Sequence, residues 1–373
     1  MRKLLTGLGV AALAAATLTT PAHAEGAVLH AGSATAVPGS YVVKLKDPAA
    51  SAVAAPFDGQ VTRTYPAFGG FAATLTPRQA RRLAADPAIE YVEQDQTVRA
   101  HTTQLNPPWG LDRIDQRALP VDGRYTYTST GARTRAYVID TGVRSTHGEI
   151  TGRSCAGHDV IDNDSVPQDD NGHGTAIASL IAGRVNGVAK EALVCGVRVL
   201  NGAGSGTTSG VIAGIDWVAR NHVKPASANL SLGGGPSTAI DDAVRRLIAA
   251  GVTASVTAGG SNANAANFSP ARVPEAITSG ASTRTDTRAS FSNYGAVVDV
   301  YALGVGITVA WHSGDTATNT ISGTSLSTAY VTGVTLRYLQ LNPSATPAQV
   351  HAAVVAESTP LSWGRLLHWP PTR

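Results

Sequence analysis

Cysteine is nearly missing from this sequence: Cys155 and Cys195 are the two it has in 373 residues. One disulfide at most can form, which excludes a fold built on a cysteine framework. Each thiol lies in or beside an apolar strand-like run, and the spacing leaves pairing and free burial both open. Charge is sparse too, at 15% of residues with a formal net charge of +3. That is too little to point to a nucleic-acid or membrane-surface partner. After Leu18 no apolar run approaches the roughly 20 residues that a bilayer span requires. No His-Glu-x-x-His occurs, so a zinc hydrolase lacks its signature. Asp-Thr-Gly occurs once, whereas aspartic-protease chemistry needs two such carboxylates sharing a proton, which only a symmetric dimer would supply.

What is present suits a compact, loop-rich globular protein: 43% hydrophobic residues, 39 glycines and 20 prolines. Met1-Arg2-Lys3, the apolar run Leu4 to Leu18 and Ala22-His23-Ala24 have the three regions of a secretory signal peptide, so 1–24 is expected to be removed and the protein to be extracellular. Residues 25–100 read as a small α+β unit of ferredoxin-like type. Ser40–Leu45 and Phe71–Leu75 have strand propensity, Thr76-Pro77 opens a capped helix to about Leu83, and Ile89–Glu93 closes the unit as a strand.

From Leu105 the pattern changes to apolar strands alternating with helices. The strands are Arg135–Ile139, Ala192–Leu200, Ala228–Leu232 and Val252–Val256. The helices include 209–220, with Ser209 as N-cap, Ala239–Ala250 ended by Gly251, and Pro347–Glu357 with Thr346 as cap. This predicts an α/β domain over 101–373, a parallel sheet with helices on both faces, whose ligands bind beyond the carboxyl ends of the strands.

Three elements aim chemistry at that edge. Asp140 follows an apolar strand directly. His173, in Asn171-Gly172-His173-Gly174-Thr175, precedes the helix-like run Ala176–Ala182. Ser325, in Gly323-Thr324-Ser325, opens another helix, where unpaired backbone N–H groups favour negative charge. A carboxylate, an imidazole and a hydroxyl so placed are what a base-activated serine needs.

Asp140-Thr141-Gly142, His173-Gly174-Thr175 and Gly323-Thr324-Ser325 resemble, in order, the catalytic blocks of secreted subtilisin-like serine proteases of the subtilase family, proteinase K-like branch, with an inhibitor-type propeptide. The resemblance implies a subtilisin-like fold and a monomeric endopeptidase acting on polypeptides. Ser325 would be nucleophile, His173 general base and then acid, and Asp140 the group that orients the imidazole. It also implies that Ser231-Leu232-Gly233 and Gly204-Ser205-Gly206 flank an extended substrate. Ala258-Gly259 would form a wall that leaves room for apolar or aromatic side chains. Structural calcium is implied at Asp299 with the carbonyls of Pro274 and Ala276, and at Asp112, Asp115 and Gln116. The propeptide end Thr97-Val98-Arg99-Ala100 would lie in the groove as an intramolecular inhibitor, with processing near Ala100-His101.

The chain also departs from that family. Gly260 stands where its oxyanion asparagine follows Ala-Gly, leaving Asn262, Ser261 or water as substitutes. Leu326-Ser327-Thr328-Ala329-Tyr330 replaces Met-Ala-Thr-Pro-His, Ala176 a second histidine, and Leu303 a proline. A catalytically impaired or silent homologue that binds extended peptides is therefore the alternative expectation.

Overall fold

The computed structural model describes residues 25–33, 35–47, 59–98 and 102–371. The leader at 1–24 and the expected processing site at Ala100-His101 lie outside the described residues. The chain separates into two compact units, Met1–Arg99 and Ala100–Arg373.

In the first unit, β1 (Val28–Leu29), β2 (Ala36–Leu45), β3 (Gln60–Tyr65), β4 (Gly70–Thr74) and β5 (Ile89–Gln96) form one sheet in the order β1-β5-β2-β4-β3. Apart from the short parallel edge strand β1, all pairs are antiparallel. The order β5-β2-β4-β3 is the ferredoxin-like one. Its helix α1 (Pro77–Ala84) begins in a capping box: Thr76 accepts from the Gln79 backbone, and the Gln79 side chain accepts from the Thr76 N–H. Such a cap stabilises a short helix by about 1 kcal/mol. Tyr41, Val43, Phe71, Val92 and Ala80 form its small core.

The second unit is a layered α/β fold. Its central strands are β8 (Arg135–Asp140), β9 (His158–Asp159), β10 (Leu193–Arg198), β11 (Ala226–Leu230), β12 (Thr253–Thr257), β13 (Ile277–Ser282) and β14 (Val300–Leu303). All are parallel, and the hairpin β17 (Thr359–Leu361) and β18 (Gly364–Leu366) finishes the sheet, whose order is β17-β18-β14-β13-β12-β11-β8-β10-β9. Two small antiparallel pairs lie apart from it: β6 (Thr102–Leu105) with β7 (Arg124–Tyr127), and β15 (Ile307–Ala310) with β16 (Thr318–Ile321). The helices are α2 (Trp109–Ile114), α3 (His173–Ala182), α4 (Thr208–Asn221), α5 (Thr238–Ala249), α6 (Thr324–Leu341) and α7 (Pro347–Glu357).

Alternation along β8 explains the layering. Ala136 and Val138 enter one apolar core with α3 and α6, while Tyr137 and Ile139 enter the other with α4 and α5. Each fully buried Val, Ile or Leu contributes about 1.5–3 kcal/mol of transfer free energy. The α6 side is unusual in carrying hydroxyls where helix meets sheet. Thr335 donates to Ser227, Thr332 to Asn229 Oδ1 and Ser279 to Thr328, all at 2.9 Å and all buried.

Two expected starts shift. Thr207, not Ser209, caps α4, its side chain accepting from Gly210 N. Helix α3 begins at His173 itself, three residues before the expected Ala176. Cys155 and Cys195 form a disulfide, closing the pairing that their spacing left open.

Candidate active site

From β8 the chain moves to β9 and β10 on one side and then to β11–β14 on the other. The end of β8 is therefore the topological switch point, where an open parallel sheet leaves a crevice. Asp140 is the last residue of β8 and is fully buried. Its Oδ1 lies 2.7 Å from His173 Nδ1 and accepts from Thr141 N at 2.7 Å. This bond makes Nδ1 the protonated nitrogen and leaves Nε2 as the free base.

Another carboxylate holds this geometry. Asp169, 2% exposed, accepts at Oδ1 from Thr141 Oγ1, Asn171 N and Gly172 N, and at Oδ2 from the Thr175 N–H and hydroxyl, all at 2.6–3.0 Å. It ties the loop after β8 to the first turn of α3. Gly174 completes the contact, since a Cβ there would lie 2.0 Å from the Gly142 carbonyl oxygen. Burial, the largest influence on His173, works to lower its pKa. The Asp140 charge and hydrogen bond, together with the charge of Asp169, outweigh it, and the net shift is upward.

Ser325 sits in the first turn of α6, after Gly323 as N-cap. Its hydroxyl donates to the Ser231 carbonyl at 3.2 Å, and Ser231 Oγ donates back to the Ser325 carbonyl at 3.0 Å. Behind them Asn229 Nδ2 donates to Ser231 Oγ at 2.8 Å, and Thr332 fixes the orientation of that amide through Oδ1. A buried polar chain from the middle of α6 thus sets the serine's position.

His173 and Ser325 line one open cleft of about 820 Å³. Gly204, Ser205, Gly206, Ser231, Leu232 and Gly233 also line it. Leu200, Val211 and Ile240 supply an apolar recess, and among the described residues His173 is the one ionisable side chain in the wall. Gly259 and Gly260 also line it. Ala258 is buried behind, its carbonyl accepting from Asn293 Nδ2 at 2.8 Å. Asn293, wholly buried, accepts at Oδ1 from Ser261 N and Ala263 N. Gly259 adopts φ +94°, with Asn293 where its Cβ would be.

That clamp turns the chain and separates Asn262 from Gly260. Asn262 is not part of the cleft wall: its N–H donates to the Phe291 carbonyl at 2.8 Å, and its side-chain oxygen accepts from Arg288 at 3.0 Å. At Gly260 a Cβ would meet only Phe291, at an ordinary van der Waals distance of 3.9 Å.

Among the described residues no three His, Cys, Asp or Glu side chains gather as a metal-binding group. Asp112 accepts from Gln116 Nε2 at 2.8 Å and Gly123 N at 3.0 Å, and Asp115 Oδ2 from Thr126 N at 2.7 Å. Asp115 Oδ1 is buried without a donor, and burial raises that carboxyl to about 6. Pro274 and Ala276 precede β13. Asp299 accepts from Thr278 N at 2.8 Å, and its other oxygen pairs with His351 Nε2 at 3.2 Å.

A parallel α/β sheet that gathers aspartate, histidine and serine at its switch point defines a hydrolase working through a base-activated serine. The family models agree: subtilase family over residues 136–368, and peptidase inhibitor I9 over residues 58–101. The chain belongs to the subtilase family and is a serine endopeptidase that carries an I9 propeptide. It is 47% identical to an extracellular serine proteinase of Thermus sp. (strain Rt41A), covering 95% of this chain and 93% of that protein. It is 50% identical to alkaline serine exoprotease A of Vibrio alginolyticus, over 78% of this chain and 55% of that one. The crystal structure of a cold adapted subtilisin-like serine proteinase superimposes with a TM-score of 0.69 at 50% identity, covering 70% of this chain and 98% of that chain.

Proposed function

We propose that this endopeptidase is secreted, acts as a monomer, and cuts extracellular polypeptides after apolar or aromatic residues. We propose further that it is made as a precursor which removes its own N-terminal segment up to Ala100, and that its turnover is lowered by Gly260. In this reading Ser325 Oγ attacks the scissile carbonyl while His173 Nε2 takes its proton. Asp140 stabilises the imidazolium, and the Ser325 N–H faces the oxyanion. His173 then returns the proton to the leaving amine, and water repeats the cycle on the acyl-enzyme. The observation that carries this is the 2.7 Å Asp140–His173 bond with His173 and Ser325 in one cleft. A wall without formal charge supports the preference for uncharged side chains. An N-terminal leader pattern supports export, and no helix among the described residues is long and apolar enough to cross a membrane.

Structural calcium is part of this reading at Asp112, Asp115 and Gln116. The buried, donor-less Asp115 Oδ1 fits a cation. The ion would neutralise these carboxylates and brace α2. At Asp299, one carboxylate oxygen already pairs with His351 Nε2 at 3.2 Å, so the donors fit calcium less well. Chelation should lower the unfolding temperature, and D115N should remove that sensitivity.

The purified precursor is expected to shorten to a form starting near His101, and S325A to stay full length. If wild type also stays intact and resists fluorophosphonate labelling, the endopeptidase mechanism fails. The missing side chain at 260 then favours the second reading, a silent homologue that binds extended peptides.

A further inference from the structure

A second cavity, of about 370 Å³, shares no lining residue with the cleft. Three rings wall it: Tyr294, Tyr301 of β14, and Trp363 in the turn of the β17–β18 hairpin. Tyr301 and Trp363 meet edge to face, their centroids 4.9 Å apart and their planes at 70°. Among the described residues, Arg288 is the one charged side chain in the wall, and no carboxylate lines it.

Arg288 is held through one of its nitrogens. Nη1 donates to Asn262 Oδ1 at 3.0 Å and to the carbonyls of Ser292 and Ala289, and the guanidinium lies over the Tyr294 ring, 5.1 Å from its centroid. These anchors are themselves fixed: Asn262 N donates to the Phe291 carbonyl, and Ser292 Oγ accepts from Ala281 N at 2.9 Å. Nε and Nη2 donate to no protein group among the described residues, yet neither is a sealed, buried donor. Together they form the side-on edge of the guanidinium, whose two parallel N–H groups match the two oxygens of a carboxylate. An arginine fixed in this way loses little freedom when it binds.

We propose that this cavity is a second binding site, for the C-terminal residue of a peptide that ends in an aromatic or large apolar side chain. The terminal carboxylate takes Arg288 Nε and Nη2, and the side chain packs among Tyr294, Tyr301 and Trp363. The volume lies near the low end of the roughly 300–1,000 Å³ of small-ligand sites, room for one residue and not for an extended chain. Charge complementarity selects this occupant, since an internal segment, a peptide amine or a neutral sugar leaves the arginine edge unmatched. Cutting after apolar or aromatic residues produces such chain ends, so the N-terminal-side products of the enzyme carry the ligand. That source rests on the endopeptidase reading above; the preference for an apolar carboxylate does not.

The test is titration calorimetry on the full chain carrying S325A, with acetyl-Ala-Ala-Phe as the free acid, the same peptide as its C-terminal amide, and acetyl-Ala-Ala-Ser as the free acid. The Phe acid is expected to bind roughly tenfold or more tightly than either of the others, the loss expected for one charge-assisted pair or one buried ring. R288Q should abolish the difference between acid and amide. Because Arg288 also braces its own loop, Y294L gives an independent answer. That ring is 44% exposed, and its loss should weaken the Phe acid roughly fivefold. Equal affinity for acid and amide, or an affinity that Y294L leaves unchanged, would place the peptide elsewhere and overturn the proposal. Binding of free 3-phenylpropionate with exclusion of the peptide acid would show a cavity closed to chain ends and overturn the product as occupant. Absence of Ser325-dependent turnover in the wild type overturns the endopeptidase reading, and with it the source of the ligand. Normal turnover with no acid preference overturns this site alone.

Discussion

Around His173, one buried carboxylate takes five hydrogen bonds and a second holds the imidazole at 2.7 Å. Around Ser325, position 260 carries no side chain, and a Cβ there would meet only Phe291, at 3.9 Å. The base side of the cleft is over-determined and the oxyanion side is sparse. The two sides do different work: the first sets a tautomer and a direction, and the second lowers the energy of a charge that exists only in the transition state. A chain can thin the second and still fold, because Gly260 satisfies no buried group that its loss of side chain would strand. It cannot thin the first so easily.

Breaking the dense side should therefore have the larger effect. D169A would strand three backbone N–H groups and two hydroxyls in a buried loop. Each costs about 1–3 kcal/mol unless water reaches it. With partial relaxation the loss of stability should be about 3–5 kcal/mol, read from denaturant midpoints, and peptide hydrolysis should fall with it as His173 loses its setting. A stable, active D169A would show that the density around His173 is incidental.

Filling the sparse side is the opposite experiment. Position 260 is outside the left-handed region, and a Cβ there meets Phe291 at an ordinary 3.9 Å, so asparagine fits without backbone strain. G260N should raise kcat by about 10²-fold, a figure measured for loss of one such donor in another subtilase and borrowed here. Unchanged kcat would mean that the sparse side is already served.

Those two sides are not equally legible in the sequence. Asp140, His173 and Ser325 announce themselves because each follows or opens a regular element beside glycine. Asp169 does not: in Pro167-Gln168-Asp169-Asp170 it looks like a solvated loop acid, and its role comes from donors that lie up to 28 residues away. Thr257 reads as an ordinary β-former at a strand end, and its hydroxyl partner, Thr324, is 67 residues on. Strand β13 escapes a sequence reading for a related reason. In β13, Thr278, Ser279, Gly280 and Ser282 lack the apolar signature of a buried strand, because hydroxyls meet this sheet from α6. The early start of α3 is hidden by Gly172 and Gly174, whose low helix propensity is overridden by close packing of Gly174 on Gly142. The parallel α/β architecture and the propeptide's capped helix are readable because their signals are local and periodic.

The smallest expected effect separates the two sides most cleanly. Burial is the largest single influence on His173 and acts downward, but the charge and hydrogen bond of Asp140 with the charge of Asp169 exceed it, so the imidazole is raised above the ordinary histidine value near 6.5. A general base must be neutral, so kcat/KM should climb about tenfold per pH unit below that raised pKa and level off above it. Stability runs the other way. A group whose folded pKa is raised contributes most below its unfolded pKa, and that contribution is lost as pH rises through the folded value. Activity should therefore increase across the window in which this part of the stability is being lost. D140N removes the largest cause of the rise, so any residual activity should have its midpoint at lower pH. G260N adds a neutral donor on the opposite side of the cleft, so it should lift the whole profile without moving the midpoint. A shift of the midpoint in G260N would mean that the two sides of the cleft are electrostatically coupled, and the division of labour drawn between them would fail.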